Sequence, residues 1–571
     1  MKKEKKKTEL VIAEPSGTAW WAYALGLLLL AFFVFEIYQP MLKGPFVFDD
    51  SYLPMLMPNG VEQPFTAWIS GLRPVLMASY WGNTRLSGLE PQAFKLWNVW
   101  IHLCSALLVW LWARKLIQRF YPDPIGNAVS AFVALIFLLH PLQTESVSYV
   151  AGRSESLSGL LFLAALVTFL YHGPQAIGWL RALCVLLLFG AALLTKEHTA
   201  VFPLLLLLTD YFFYPGFSLE GIRKNWRVYL LIALGAIAGV FTTFRLLLNA
   251  DSAGFRLKEF TWYQYFFTQC RSIVTYIQLF LFPVGQNVDH DQTISYTLFD
   301  HGTPLAMLAL LVLLVGAWLA RKRFPLACYG VLVFLLLLAP TSSVIPIKDT
   351  LVERRMYLPL IGLCLVIAQF LLLLRIPRAA MLAIIGTTSL AAGYTTYVRN
   401  HVWSSTISLW TDSAAKSPQK GRPTFQLAYA QYEAGNCIES VNGYAKVAQL
   451  EKPDYRLYAD WALAADCAGR YDEALEKLRL GAGLEDSAHV HATMGMILAK
   501  QGQSDEALTE LAKAETLDPH FAIVSFYRGN VYMQRKEYSK AIESYKHAIH
   551  LDPQNQTFQR SLAMSQRQGR E

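Results

Sequence analysis

The chain has 571 residues, of which 54% are hydrophobic and 16% charged, and carries a formal net charge of +8. Apolar residues crowd into long runs between Trp20 and Val398, which excludes an ordinary soluble globular protein. The positive charge is spread over short loops and the tail, which gives no footprint for nucleic acid. After His401 the pattern turns polar and helical, so the expected division is a membrane domain over 1–400 and a soluble domain over 401–571.

In chain order, apolar spans are expected near 20–38, 95–113, 126–141, 157–171, 179–195, 199–213, 228–248, 304–320, 324–340, 357–374 and 379–398. The first follows M-K-K-E-K-K-K with no small-residue cleavage site, and reads as an anchor. With about 11 spans and a cytoplasmic N-terminus, the basic connections share one side, as the positive-inside tendency requires. These are Lys2–Lys7, Arg114–Arg119, Arg181, Arg223–Arg227, Arg321–Arg323 and Arg375–Arg378. A crossing at Trp262–Phe282 would break that agreement, so this stretch reads as an amphipathic or re-entrant helix on the outer surface.

On this map the unusual polar clusters fall on the outer face. They are Asp49-Asp50 in the first loop, His140–Ser146 with Glu145, and Gly152–Ser156 with Arg153 and Glu155. Further along come Lys196-Glu197-His198, Asp289-His290-Asp291, and Val352–Tyr357 with Glu353, Arg354, Arg355 and Tyr357. Arg73 lies in the first loop, in G-L-R-P. Taken singly, each cluster can be a salt bridge that ties loops together. Ionisable groups at membrane depth are costly and mark cavities or partners, so their convergence on one face argues for a shared site.

Their chemistry narrows the site. There is no phosphate-binding glycine loop after a strand, no Cys-x-x-Cys and no H-E-x-x-H. Arg and Lys at a lipid boundary suit a phosphate, and a carboxylate suits removal of a hydroxyl proton. Together they suggest a lipid-linked phosphate donor meeting an acceptor hydroxyl. A divalent ion on Asp50, Asp289, His290 and Asp291 is the alternative to a metal-free site.

The run F-V-F-D-D (46–50), G-L-R-P (71–74), F-K-L-W-N-V-W-I-H (94–102), H-P-L-Q-T-E-S-V-S-Y-V-A-G-R-S-E (140–155), L-T-K-E-H-T-A-V-F-P (194–203) and E-R-R-M-Y-L-P (353–359) resembles the GT-C glycosyltransferases. It resembles especially the transmembrane protein O-mannosyltransferases that carry tetratricopeptide repeats. The resemblance implies an all-α polytopic bundle of GT-C type and inverting transfer of one sugar from a polyprenyl phosphate to a hydroxyl, Ser or Thr of a protein. It implies a first-loop acid as general base, which maps onto Asp49 or Asp50, and no required cofactor. Candidates for holding the donor phosphate are Arg153, Lys196, Arg354 and Arg355. Arg73, His140, Glu145, Glu155, Glu197, His198, Glu353 and Tyr357 support them. Two other readings stay open: a non-catalytic membrane scaffold that recruits partners, and a lipid-linked glycan ligase or polymerase.

The tail repeats at a step of 34, from Gly495 to Gly529, Ala507 to Ala541 and Pro519 to Pro553. That is a tetratricopeptide solenoid of about four repeats behind a capping helix near Ser405–Lys416. It is either a spacer or a docking surface for a protein acceptor, with Tyr455, Tyr458, Tyr527 and Tyr532 as lining or packing residues. Cys104, Cys184, Cys270, Cys328 and Cys364 lie in apolar segments and are expected to be buried. Cys437 begins one repeat helix and Cys467 ends another, a placement that suits a disulfide in an oxidising compartment. The expected location is a bacterial inner membrane with periplasmic repeats, or alternatively the endoplasmic reticulum with lumenal repeats.

Overall fold

In a computed structural model of the chain, the described residues are 20–569, apart from 124, 173–175, 215, 236–253, 255 and 256. Among them the fold is all helical, and it separates into two compact units. The first comprises 1–283, 296–348 and 353–404. The second comprises 405–571 together with 284–295 and 349–352. Two short segments from the apolar half of the chain therefore belong to the repeat unit.

In the first unit, five helices are long and apolar enough to cross a membrane: Ala24–Leu42, Pro91–Phe120, Arg153–Leu170, Asp300–Leu319 and Arg378–Val402. A bent pair, Ile125–Leu139 with Pro141–Val147, makes a broken span with an angle of 49°. Shorter apolar helices run over Trp179–Leu193, Trp226–Gly235, Pro325–Leu338 and Leu360–Leu373, and Phe202–Phe213 follows the same pattern. The expected span at 228–248 is thus described only to Gly235, and its remainder lies outside the described residues. The basic Lys2–Lys7 run also lies outside them.

Proline sets several starts. Pro74, Pro91 and Pro325 stand at the first helical turn, where the missing N–H costs nothing. The helix from Pro91 is 30 residues long and outruns its apolar core at both ends. Its extra length carries Lys95 inward at one end and Arg119 into the last turn at the other, where a cation complements the helix dipole. Trp262–Leu281 is one-sided: Tyr265, Gln269, Tyr276 and Phe280 face inward while Trp262 and Tyr263 face out. A capping box between Thr261 and Gln264 opens it.

The helices Pro325–Leu338 and Leu360–Leu373 meet at glycine on glycine. A Cβ on Gly330 would stand 2.5 Å from the Gly362 carbonyl oxygen, and one on Gly362 would stand 2.4 Å from that of Gly330. Small residues let backbones approach where lipid offers no hydrophobic drive for helix pairing.

The second unit is a regular stack. A lead helix, Thr406–Lys416, precedes four antiparallel pairs. They are Gly421–Glu433 with Cys437–Leu450, Tyr455–Cys467 with Tyr471–Leu484, Ala488–Lys500 with Ser504–Leu517, and Ala522–Gln534 with Tyr538–Leu551. A final helix, Gln556–Gln568, closes the end. Gly435, Gly469 and Gly502 take φ near +80°, +74° and +81° between helices, the left-handed turn that glycine accepts without cost. Alanines at the helix crossings, including Ala462, Ala464, Ala474 and Ala507, are fully buried and let the helices approach. Tyr455, Tyr458 and Tyr527 pack partly buried against this core.

Cys437 and Cys467 form a disulfide with Cα atoms 5.6 Å apart, tying the second helix of the first pair to the first helix of the next. Of the five other cysteines, Cys270, Cys328 and Cys364 are buried, whereas Cys104 and Cys184 are exposed on outward helix faces. Cys104 and Cys184 correct the expected burial of all five, because an apolar helix has an outward face on which a thiol is as exposed as a leucine.

Replacing Gly362 by Leu should cost about 1–3 kcal/mol of stability through overpacking. The check is a lower thermal midpoint and a smaller monodisperse fraction in detergent. Replacing Cys437 and Cys467 together by Ser should destabilise the repeats by about 3.6 kcal/mol, the loop-entropy scale for a bridge across a sequence separation of 30. Mass mapping without reductant should find the linked peptides in the parent protein alone.

Candidate active site

The first loop folds back on the protein as two short turns, Phe48–Tyr52 and Pro54–Leu56. Asp50 is its pin. The side chain is fully buried; Oδ2 accepts the Val47 N–H at 3.0 Å and Oδ1 accepts the Ala151 N–H at 2.7 Å. The first bond closes the turn, and the second ties the loop to the strand-free turn after Val147. Lys95, also buried, donates to the carbonyls of Met41 and Gly44, both at 2.9 Å, and so fixes where the loop leaves the first helix. Gly44 leaves room for that ammonium, since a Cβ there would stand 2.9 Å from Nζ and 2.6 Å from the Trp403 carbonyl.

Asp49, next to this pin, is half-buried instead. Its N–H donates to the Tyr149 hydroxyl at 2.7 Å. Burial raises the Tyr149 pKa well above its usual value, and the charges of Asp49 and Asp50 add to this. The Arg354 guanidinium lies 5.9 Å from the Tyr149 ring centre. Asp49, Tyr149 and Arg354 therefore form one group.

Arg354 is held by Glu145 through two bonds: its backbone N–H to Oε2 at 2.9 Å and its Nη1 to Oε1 at 2.6 Å. Burial works against its charge, but Glu145, Tyr149, Asp49 and Glu155 outweigh burial and hold its pKa above the ordinary value. Gly152 makes this turn possible, because a Cβ would stand 2.6 Å from the Glu145 carbonyl oxygen. Beyond lies a second group. Lys196 donates to Glu155 at 2.6 Å and to Ser154 at 3.1 Å, and His198 Nε2 stands 3.6 Å from the other Glu155 oxygen. Burial lowers the pKa of both Lys196 and His198, with Glu155 opposing the change in each. At the exposed rim, Arg73 forks onto Glu197 at 2.8 and 2.9 Å. The effect of Arg354 on Glu155 joins the two groups into one field of alternating charge. Arg355 is half-buried and Glu353 buried in the same short turn.

Three expected site residues are taken out of this field. Arg153 is 1% exposed, because Gly152–Ser156 forms the start of a helix and not an open loop. Its guanidinium donates to the side-chain oxygens of Asn98 and Asn83, both at 2.8 Å, and to the Phe94 carbonyl at 2.9 Å. It also lies 4.7 Å over the Tyr80 ring, so its donors are engaged within the protein. His140 stacks on Phe280; its Nδ1 accepts from the Leu142 N–H and its Nε2 donates to the Phe280 carbonyl, which fixes the ring as a link between elements. The Tyr357 hydroxyl meets His102 Nδ1 at 3.0 Å deep in the bundle.

The residues of the metal alternative are engaged as follows. Asp289 receives Lys420 at 2.5 Å and a forked pair from Arg422 at 2.5 and 2.6 Å, all inside the repeat unit. Among the described residues, no group of three or more His, Cys, Asp or Glu is arranged to hold a metal ion. Conversely, Tyr149, Lys95 and Asn98 were not singled out. The last donates to the carbonyls of Val147 and Tyr149 at 3.2 and 3.1 Å. A lysine and an asparagine inside an apolar helix were the signal that marked two of them.

Tetratricopeptide repeat models match residues 488–521 and 522–555. The chain is similar to the human protein O-mannosyl-transferase TMTC3, at 22% identity across 86% of this chain and 58% of that protein. It is also similar to the Caenorhabditis elegans protein O-mannosyl-transferase F38B6.6, at 24% identity across 73% of this chain and 61% of that one. The chain thus spans about three-fifths of the length of these curated relatives. Among solved structures, YrrB, a TPR protein with an unusual peptide-binding site, overlaps 31% of this chain and 88% of its own at 17% identity and a TM-score of 0.24.

Burial pushes the Asp50 carboxyl up to about 7, against the amide donations from Val47 and Ala151 and the charge of Lys95, while Asp49 pushes up as well. Its native pKa lies above the unfolded value, so its contribution to stability is full below that unfolded value and is lost as pH rises through about 7. The thermal midpoint of the parent protein, relative to Asp50→Asn, should fall between about pH 4 and pH 7 and level off above. A pH-independent difference would place the Asp50 proton elsewhere. His198, whose lowered pKa acts in the opposite sense, is present in both proteins and cancels.

Proposed function

We propose that the chain is an integral membrane glycosyltransferase that moves one sugar from a polyprenyl monophosphate to a hydroxyl of a protein Ser or Thr, on the non-cytoplasmic side. The names of the relatives, protein O-mannosyl-transferases, favour mannose as the sugar. The observation that carries the reading is the division of labour between two adjacent acids. Asp50 is buried and spends both oxygens on backbone amides, whereas Asp49 is half-buried beside Tyr149 and Arg354.

Asp49 is the base. It takes the proton as the acceptor oxygen bonds to the anomeric carbon, and the bond from that carbon to the phosphate oxygen breaks with inversion. The leaving group is the polyprenyl phosphate, whose growing negative charge meets Arg354, Arg355, Lys196 and Arg73. Preorganised cations of this kind stabilise charge that develops in the transition state. Glu145, Glu155 and Glu197 hold three of them in place before the donor arrives. The chemistry needs no divalent ion, since the cations are side chains.

The repeats dock the acceptor polypeptide. Their disulfide requires an oxidising compartment, which favours a bacterial periplasm or, as the alternative, the lumen of the endoplasmic reticulum.

In a liposome assay with polyprenyl-phosphate mannose and an acceptor peptide, Asp49→Asn should lower turnover by about 10²–10⁴-fold, the usual contribution of a general base. Its thermal midpoint should match the parent. Full turnover by Asp49→Asn would sink the base assignment. Transfer that survives Arg354→Gln and Lys196→Gln without a change in donor KM would remove the phosphate site.

A further inference from the structure

Near the candidate site Arg73, Lys196 and Arg354 are each paired with a carboxylate. A different arrangement stands at the far end of the helices that carry them. The helix Trp179–Leu193 runs 15 residues, about 22 Å, before the chain reaches Lys196. At its start Trp179 meets Trp226, the first residue of the helix Trp226–Gly235; the two rings cross at 87° with centres 5.4 Å apart. The Arg227 guanidinium lies in this corner, 5.6 Å from each ring centre.

Arg227 is fixed but not neutralised. Its Nη1 donates to the Ile177 carbonyl at 2.9 Å, its Nε is buried with no partner, and among the described residues no carboxylate pairs with it. Asp210, at the same end of the bundle, is spent on the Tyr229 hydroxyl at 2.7 Å and the Asn225 amide at 3.2 and 3.3 Å. Arg181 and Arg223, both exposed, add positive charge on either side in the chain. The corner is open: Trp179 is 50% and Trp226 47% exposed. From it both helices run on with leucines turned outward, Leu180, Leu183 and Leu187 on one and Leu230 and Leu234 on the other. A Cβ on Gly235 would stand 3.5 Å from Leu186 Cδ1, so the two helices lie side by side.

We propose that this corner binds a glycerophospholipid of net negative charge, its phosphate against Arg227 and its two acyl chains along the two leucine rows. Arginine is the side chain best shaped for a phosphate, and tryptophans settle at the headgroup level of a bilayer. A guanidinium left without a counter-charge at that level selects an anionic lipid over a zwitterionic one. The Ile177 bond alone would hold the side chain in place, but it leaves the charge for a ligand to neutralise. The site lies away from Asp49 and does not rest on the proposed transfer.

The test uses the full chain, delipidated in an uncharged detergent and titrated with dioleoyl-phosphatidylglycerol or dioleoyl-phosphatidylcholine, with retained lipid read by native mass spectrometry. The parent protein should bind phosphatidylglycerol at least about tenfold more tightly than phosphatidylcholine, and Arg227→Gln should bring the two within about twofold. Trp226→Leu, which leaves the Arg227 bond to Ile177 in place, should weaken phosphatidylglycerol several-fold at an unchanged thermal midpoint. Arg323→Gln, which removes a cation over the Phe324 ring, should bind as the parent does. Equal binding of the two lipids by the parent, parent-like preference in Arg227→Gln or in Trp226→Leu, or an equal loss in Arg323→Gln would overturn the site. Because the readout needs no sugar donor, that failure leaves the Asp49 chemistry standing, and an inactive Asp49→Asn that keeps the lipid preference leaves the lipid site standing.

Discussion

The first unit depends on a small lattice of buried charge. Asp50, Lys95 and Arg153 are each almost wholly removed from water, and none forms a direct ion pair with another. Each is satisfied by backbone or amide groups: two N–H donors for the acid, two carbonyls for the ammonium, and two asparagine oxygens with a carbonyl for the guanidinium. Buried charge left without such partners costs several kcal/mol per group. The lattice is therefore strict about geometry, and it fixes the first loop, the start of the Pro91–Phe120 helix and the turn at 147–152 against one another.

That rigidity gives the half-exposed acid its setting. Asp49 sits on the backbone that Asp50 pins, and its own N–H bond to the Tyr149 hydroxyl holds it there. Around it, cations and carboxylates alternate: Arg354 on Glu145, Lys196 on Glu155, Arg73 on Glu197. Each long basic side chain is already held, so the phosphate of the proposed donor would meet cations that need no further ordering. The same pairing keeps the site from being a bare cationic trap.

The repeats obey a different economy. Alanines and glycines at the crossings make the stack close and regular, and cations are matched with acids one by one, as in Lys500 with Asp466 and Arg528 with Glu515.

Much was legible in the sequence by itself. Hydropathy gave the apolar spans, the step of 34 gave the repeat stack, and the spacing of Cys437 and Cys467 placed them at opposite helix ends. These are local or periodic properties, and periodicity survives projection onto one dimension. The position of an acid within a loop also flagged Asp49 and Asp50, but not which of them faces solvent. Only the tertiary structure decided that, because burial depends on which distant amide reaches the carboxylate, here Ala151. It also turned Arg153 inward, gave His140 to Phe280, and gave Asp289 to Lys420 and Arg422. An ionisable residue reads the same in sequence whether its partner is a substrate or another part of the chain. The difference is made by contacts between residues tens to hundreds of positions apart, which composition and spacing do not encode.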